Sequence, residues 1–437
     1  MNDEPAFAAF IAIDWAEQRH YWHMWIAAEQ RHEKAWLNHT PEAIDRWAAG
    51  LEQRFASAPV AVCLEQSRGP LVFQLAKYAH LVLYPVHPTT LARYRAAFSP
   101  AGAKGDPGDA GLLLEILRHH REHLRRLDPD TPETRLLALL PEQRRQLVDE
   151  RTRHSNRLTA WLKLYYPQPL DWIDNIDAPL GCDLLQRWPT LQQLQRARPD
   201  TLRRFFLAHN CRSAQRVEQR IEAIRQSTAA VHDPALLQAG ATATASLVAL
   251  LQTLNHQIAG LDQRLAELTP KHPEAYLFAG LPGAGPVLLP RLIVAFGTQR
   301  ARFSSAAELA AYCGIAPVSR QSGLTKMVVF RHACPAFLRQ TFHEVAACST
   351  LKSVWARAFY QLQIDRGKKH HAAVRALAFR WIRILFRCWK DRIPYDESRY
   401  LRCLEQRHSP LLASATAPEC SDGVEDPLLG SETNEAE

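Results

Sequence analysis

The sequence predicts an α/β sheet domain over residues 1–130, a long-helix and coiled-coil middle over 131–270, a mainly α-helical region over 271–408, and an acidic tail over 409–437. Three observations predict it. Apolar runs of strand length alternate with helical spacing through the first hundred residues. Leu247, Leu254, Leu261 and Leu268 repeat every seven residues, with Leu251, Ile258 and Leu265 between them, a seam of about three heptads. Beyond residue 271 the apolar spacing is helical and broken by Gly and Pro.

Residues 6–13, AFAAFIAI, read as a buried strand with Asp14 at its end. Trp22 to Ile26 reads as a second strand pairing back, and Ala35 to Asn38 as a third. Ile44, Trp47 and Leu51 space residues 41–54 as a helix. Pro59 to Leu64 is a β-rich run that ends at Glu65. Residues 70–80 read as helix and Leu81 to Val86 as strand. Three leading strands followed by alternating helix and strand define an α/β sheet.

The acids are placed informatively. Asp14 and Glu65 each terminate an apolar strand, and open α/β sheets gather ligands at strand ends. In Lys104-Gly105-Asp106-Pro107-Gly108-Asp109, Pro107 suits a first helical turn, and Asp106 and Asp109 share one helix face. Acids at a helix N-terminus also simply favour the dipole. Four carboxylates aimed at one spot repel unless a cation lies between them. Magnesium or manganese prefers such oxygen donors, and two ions roughly 4 Å apart would serve phosphodiester chemistry. The order Asp, Glu, Asp-x-x-Asp after these strands resembles the RNase H-like (RuvC-like) nuclease domain. Lys104 is a candidate phosphate contact, with a solvated loop lysine as the alternative.

Net charge is +8, but the seven acids after His408 face no Lys or Arg. Through residue 408 there are 53 basic and 38 acidic residues, or +15. That excess suits a polyanionic partner, nucleic acid first. Nine cysteines without a CxxC pair fit reduced, mostly buried thiols in a cytoplasm. The N-terminus carries acids where a signal peptide carries Lys or Arg, and no uninterrupted apolar run has spanning length, so no membrane partner is expected.

Residues 135–166 read as one long helix carrying Arg144, Arg145, Arg151, Arg153 and Arg157, either a nucleic-acid contact or a solvated face. Trp161, Tyr165 and Tyr166 read as base-stacking or core residues. Residues 171–235 read as several short helices without assignable chemistry. The heptad seam can pair with the 135–166 helix or with a second protomer, and a mixture of the two predicts an oligomer.

Leu281-Pro-Gly-Ala-Gly-Pro286 lies between apolar helical stretches. It looks like a helix-hairpin-helix element, in which Gly283 and Gly285 expose N–H groups to a phosphate, with an ordinary helix–helix turn as the competing reading. Ser304 or Ser305 caps a helix ending at Gly314. Then follows Val318-Ser-Arg-Gln-Ser-Gly-Leu-Thr-Lys326, a polar turn in which a serine before glycine is ordinarily a turn residue. Lys368 to His371 could hold nucleic-acid phosphates, while Trp381, Phe386 and Trp389 recur at core spacing.

Jointly these motifs resemble the DEDD transposases of the IS-one-ten family, in its IS-one-eleven-eleven branch, recombinases of insertion elements guided by a structured bridge RNA. The resemblance runs to about Tyr400 and includes Asp14-Trp-Ala, Cys63-Leu-Glu65, Lys104-x-Asp106-x-x-Asp109-Ala, the 281–286 turn, and Gly314-Ile-Ala-Pro-Val-x-Arg-Gln-Ser322-Gly. Arg366-Gly-Lys-Lys369 and Pro394-Tyr-Asp396 also fit. The resemblance implies that Asp14, Glu65, Asp106 and Asp109 are Mg²⁺ (or Mn²⁺) ligands. It implies that Ser322 attacks a DNA phosphodiester and forms a phosphoserine bond. It also implies a composite site within a dimer-to-tetramer homo-oligomer, with DNA and a guide RNA as partners. Arg320 and Lys326 are placed to steady phosphate, and Lys368 and Lys369 to bind nucleic acid. Gln321 before Ser322 and Leu324-Thr325 after it depart from many relatives, so Ser319 and Thr325 remain secondary nucleophile candidates.

Two rival readings are a metal-dependent, Holliday-junction-type endonuclease in which Ser322 is only a turn residue, and a non-catalytic nucleic-acid scaffold.

Overall fold

The computed structural model describes residues 6–65, 68–98, 105–323, 325–409 and 411. Lys104 and nearly all of the acidic tail lie outside the described residues. The chain divides into two compact units, Met1–Pro129 and Asp130–Glu437. Residues on both sides of position 270 lie in the second unit.

The first unit is a five-stranded mixed sheet in the order β3-β2-β1-β4-β5. β1 (Ala9–Asp14), β2 (Arg19–Ile26) and β3 (Arg31–Asn38) form an antiparallel meander. β4 (Val60–Leu64) and β5 (Leu81–Pro85) add in parallel beside β1. Helices α1 (Pro41–Arg54) and α2 (Pro70–Leu75) supply the two crossings, and α3 (Pro88–Phe98) and α4 (Asp106–His119) follow. α1 starts where the sequence predicts because Pro41 occupies its first turn and the Thr40 hydroxyl accepts from the Ala43 N–H at 3.2 Å.

Strand alternation makes two cores. Ala9, Ile11, Ile13, Val60, Val62 and Leu64 face Ile44, Ala48 and Leu51 of α1 and Leu71, Val72 and Leu75 of α2. On the opposite face Ala12, Ala61 and Cys63 meet Leu113, Leu114, Ile116 and Leu117 of α4. β4 is buried along its whole length because helices cover both of its faces.

The second unit is built on a hairpin of two long helices, α5 (Pro132–Tyr165) and, later in the chain, α11 (Pro234–Leu268). Arg144 bonds Asp262 on one side and the Tyr165 hydroxyl bonds Thr244 at 2.8 Å on the other, so the two helices run antiparallel. The heptad seam pairs within the chain: Leu247, Leu251, Ile258 and Leu265 are its buried positions. α11 is also long and apolar enough to cross a bilayer by length and composition alone. One side of it packs against α5, and its Asp262 pairs with Arg144 of that helix.

Five short helices fill the far end of this hairpin: α6 (Pro169–Trp172), α7 (Pro179–Arg187), α8 (Leu191–Gln195), α9 (Pro199–Ala208) and α10 (Ala214–Gln226). Their core includes Leu158 and Leu162 of α5 and Leu247, Val248 and Leu251 of α11. Tyr165 and Tyr166 are buried in that core, which excludes them from base stacking. Trp161 packs against it.

At the other end, α12 (Ala275–Phe278), α13 (Leu288–Phe296), α14 (Ala306–Tyr312), α15 (Ala336–Lys352), α16 (Val354–Asp365), α17 (His370–Asp391) and α18 (Glu397–Gln406) form the second core. Leu137 of α5 and Leu265 of α11 are part of this core, which is why no boundary falls near 270. Trp381 and Trp389 are fully buried, as their spacing predicts, and Phe386 packs against them.

No disulfide forms among the described residues, and burial pushes the Cys63 and Cys313 thiols up and the Cys182 thiol up to about 12.

Two histidines on β2 make the first unit pH-sensitive. Burial and nearby His39 lower His20 from 6.5 to about 4. Burial, Lys34, His32 and Arg118 do the same to His23. Between these values the unfolded chain binds protons that the folded chain refuses, so this stability is complete above 6.5 and is lost as pH falls toward 4. The urea midpoint is expected to drop between pH 7 and pH 5, and the His20→Gln/His23→Gln variant to show a flatter profile. Equal slopes for the variant and the parent protein would remove the assignment.

Candidate functional site

The carboxylates of the first unit are positioned by strand register. The parallel ladder pairs Ile13 with Leu64, so Asp14 and Glu65 take the next positions on neighbouring chains. Asp14 alternates with Ile13 and so lies on the face of Ala12, the face covered by α4. The course of α4 over that face follows from three contacts. Gly111 lies beside the His23 ring, opposite Ala12. The Arg118 guanidinium sits 4.0 Å from the Trp25 ring, opposite Phe10. Arg121 then reaches Phe7 at 5.0 Å. α4 therefore runs opposite to β1, and its first turn, carrying Asp106 and Asp109, lies toward the rim where Asp14 and Glu65 stand.

The four acids are not equivalent. Asp106 is exposed and Glu65 is half-buried. Asp109 is buried, and its Oδ1 accepts from Arg95 of α3 at 2.7 Å. Among the described residues no three His, Cys, Asp or Glu side chains already form a metal-binding group. Arg95 is the participant that sequence reading missed. It lies 14 positions before its partner, on another helix, and no local motif marks the pair.

The second unit carries Ser322. β6 (Val318–Ser322) and β7 (Thr325–Val329) form an antiparallel ribbon in which Ser322 faces Thr325 across the turn. Gly323 enters that turn at φ +56°, a value glycine adopts without strain. Ser322 is exposed, as are Ser319, Gln321 and Thr325. Arg320 pairs with Met327 in the ribbon and Lys326 with Gln321; the structure describes only their backbone.

The 281–286 turn joins α12, which is a single turn of helix, to α13. Two of its N–H groups are used internally, Ala284 to Leu281 at 3.1 Å and Gly285 to Gly283 at 3.1 Å. Gly283 sits at φ +89° and its α-carbon presses on α15, where a Cβ would lie 2.7 Å from the Ser349 nitrogen. A packing requirement therefore explains Gly283, while Gly285 is exposed and open. Lys368 and Lys369 are exposed just before α17, and the Lys368 ammonium donates to Gln363 at 2.6 Å.

The long-helix arginines are mostly engaged. Arg144 pairs with Asp262, Arg145 with Asp149, Arg151 with Asp177 and Arg153 with Glu150. These pairs along α5 and to Asp177 and Asp262 are an outcome that neither reading of this row, nucleic-acid contact or solvated face, contained.

A mixed α/β sheet unit followed by a mostly helical unit suits a DNA-transposing enzyme, and the family models match one. A family model described as Transposase, of the DEDD IS110 type, matches residues 11–167, and one described as Transposase IS116/IS110/IS902 family matches residues 275–361. The two stretches together take in more than half of the chain. The chain belongs to the insertion-sequence transposases of the IS110/IS116 family. It is 27% identical to the mini-circle putative transposase for IS117 of Streptomyces coelicolor, over 91% of this chain and 97% of that protein. It is equally similar to the IS110 43.6 kDa protein of the same organism, over the same shares. The IS900 42 kDa protein of Mycobacterium paratuberculosis is 28% identical over 69% of this chain and 75% of its own.

The two glycines of the 281–286 turn are expected to behave differently. Gly283→Ala should destabilise the protein by about 1–3 kcal/mol through its close contact and left-handed φ. Gly285→Ala should stay within about 0.5 kcal/mol. Chemical denaturation of both variants checks this, and equal losses would contradict the packing account.

Proposed function

We propose that this transposase cuts and rejoins DNA strands with Ser322 as nucleophile, on a site shared with Asp14, Glu65, Asp106 and Asp109 of an RNase H-like domain. The observation that carries the reading is the ladder position of Asp14 and Glu65 at the rim toward which the first turn of α4 points. The antiparallel meander followed by two parallel strands supports the RNase H-like assignment.

The acids offer only hard oxygen donors, which suits Mg²⁺ or Mn²⁺. Asp14, Glu65, Asp106 and Asp109 would hold it, with Arg95 competing for the Asp109 carboxylate. When bound, the ion favours ionisation of the serine hydroxyl and offsets charge on the phosphate oxygens.

The serine chemistry balances without an added reagent. The Ser322 oxygen forms a bond to phosphorus and gives up its proton. One strand oxygen leaves and takes a proton as a free hydroxyl. Attack by a hydroxyl-ended strand on the phosphoserine reverses both changes, joins new ends and frees the serine. Exposure of Ser322 on a projecting ribbon gives a phosphodiester access to it. Arg320, Lys326 and Lys104 would steady the phosphate, and Gly285, Lys368 and Lys369 would hold flanking nucleic acid. A structured RNA would choose the target by base pairing, leaving the side chains free of sequence reading. A homo-oligomer, dimer to tetramer, would bring serine and acids of different protomers together.

Two measurements test this reading. Ser322→Ala is expected to abolish covalent protein–DNA adducts and recombination in cells. Strand cleavage retained by that variant would instead favour the junction-type endonuclease. Arg95→Gln is expected to tighten Mn²⁺ binding several-fold in calorimetry by releasing Asp109, and Asp14→Asn with Glu65→Gln to weaken it. Unchanged binding in both variants would take the metal away from these acids.

A further inference from the structure

The helical cap at the end of the α5–α11 hairpin contributes none of the residues above, yet its charge is concentrated. From Arg187 to Arg225 there are nine arginines, no lysine and three acids, Asp200, Glu218 and Glu222. Arg203 takes two of those acids, Asp200 at 2.6 Å and Glu218 at 2.6 Å. Glu222 bonds Gln226 instead. Among the described residues, Arg187, Arg196, Arg198, Arg204, Arg212 and Arg216 have no acidic partner, and all six are exposed.

Two of these arginines, Arg187 of α7 and Arg204 of α9, line an open cleft of about 580 Å³. Thr201 adds a hydroxyl one helical turn before Arg204. The single acid in the cleft, Asp183, is already committed. One of its oxygens is bonded to His209 Nε2 at 2.9 Å and the other accepts from Gln252 at 2.9 Å. The other His209 ring nitrogen bonds the Phe205 carbonyl at 2.8 Å. Burial alone would lower the His209 pKa, but these two bonds raise it. The acid is thereby offset, and neither exposed guanidinium has an acidic partner: Arg187 lies 4.7 Å from the Trp188 ring, and the Arg204 Nε donates to the Asp200 carbonyl at 3.4 Å.

The shape of the cleft limits what it takes. Bases of single-stranded RNA or DNA are bound by stacking on open aromatic faces. Phe205 is buried between the Trp188 ring at 5.2 Å and the His209 ring at 4.4 Å, and no large aromatic side chain of the cap is exposed. What the surface offers is planar, bidentate donors for phosphate oxygens. Its core takes in Leu247 of α11, while Leu265 belongs to the C-terminal core, about 27 Å away along the helix. A ligand reaching both ends must be long, and the duplex on which a transposase acts has that length.

We propose that the Arg187–Arg204 cleft binds the sugar–phosphate backbone of double-stranded DNA, as a contact separate from the serine ribbon. The contact reads no sequence and anchors duplex at the end of the helical arm.

The test is equilibrium binding of the full chain to a labelled random duplex, by fluorescence anisotropy, in EDTA over a range of salt concentrations. Neither the serine nor a metal takes part, so the outcome is independent of the function proposed above. Arg187→Gln/Arg204→Gln is expected to bind about tenfold more weakly, with the slope of log affinity against log salt reduced by about 0.9 for each lost contact. Arg187→Lys/Arg204→Lys should recover most of the affinity and the slope, which a folding defect would not allow. Arg203→Gln, whose guanidinium is already paired, should bind as the parent protein does. Unchanged affinity and slope in the double glutamine variant would overturn the proposal. So would a loss confined to a structured RNA hairpin with duplex DNA unaffected.

Discussion

The parallel pairing of β1 with β4 is the constraint on which the acidic rim depends. Because side chains alternate with a period of two, a slip of one residue would turn Asp14 toward α1 and α2 and away from α4. The slip is prevented from both sides. Ile11, Ile13, Val62 and Leu64 must face one core, and Ala12, Ala61 and Cys63 must leave room for α4 on the other. Small residues on the α4 side let the helix lie close to the sheet. The polar ends of two strands and the first turn of α4 are held toward one rim by apolar packing, to which Asp109 adds its bond to Arg95 of α3.

The second unit solves a different problem, which is to keep a long helical hairpin in register. Gly240 lies against the Tyr165 ring, so close that a Cβ would approach it to 2.5 Å. The Tyr165 hydroxyl closes that contact by bonding Thr244 and the Pro189 carbonyl. Near the opposite end, buried Arg291 of α13 bonds Thr341 at 2.9 Å and Glu344 at 2.6 Å, and Glu344 also faces Arg145 of α5. Burial lowers the Arg291 pKa, and Glu344 opposes that effect. Removing Glu344 would leave the buried Arg291 guanidinium without its counter-charge, which is destabilising. The hairpin is thus secured by polar contacts toward both ends of an apolar seam. That leaves the arginines of the cap, which the hairpin does not use, available to solvent.

Sequence alone determined the elements whose evidence is local. The helix at 41–54 is found with the same limits, since Thr40, Pro41 and the Ile44, Trp47, Leu51 spacing all lie within it or beside it. The predicted strand ending at Glu65 and the helix opening at Asp106 are found for the same reason. The heptad seam was legible, but its partner was not, because leucines at that spacing suit α5 and a second chain equally well. The tertiary structure decided that α5 packs against the seam within one chain, that most of the long-helix arginines pair with acids, and that Arg95 bonds Asp109. It also decided that Gly283 is required by α15 packing. Periodicity and caps act over one or two turns of chain and are written in adjacent residues, whereas the Arg95–Asp109 and Arg144–Asp262 bonds join residues 14 and 118 positions apart and exist only once the chain has closed on itself.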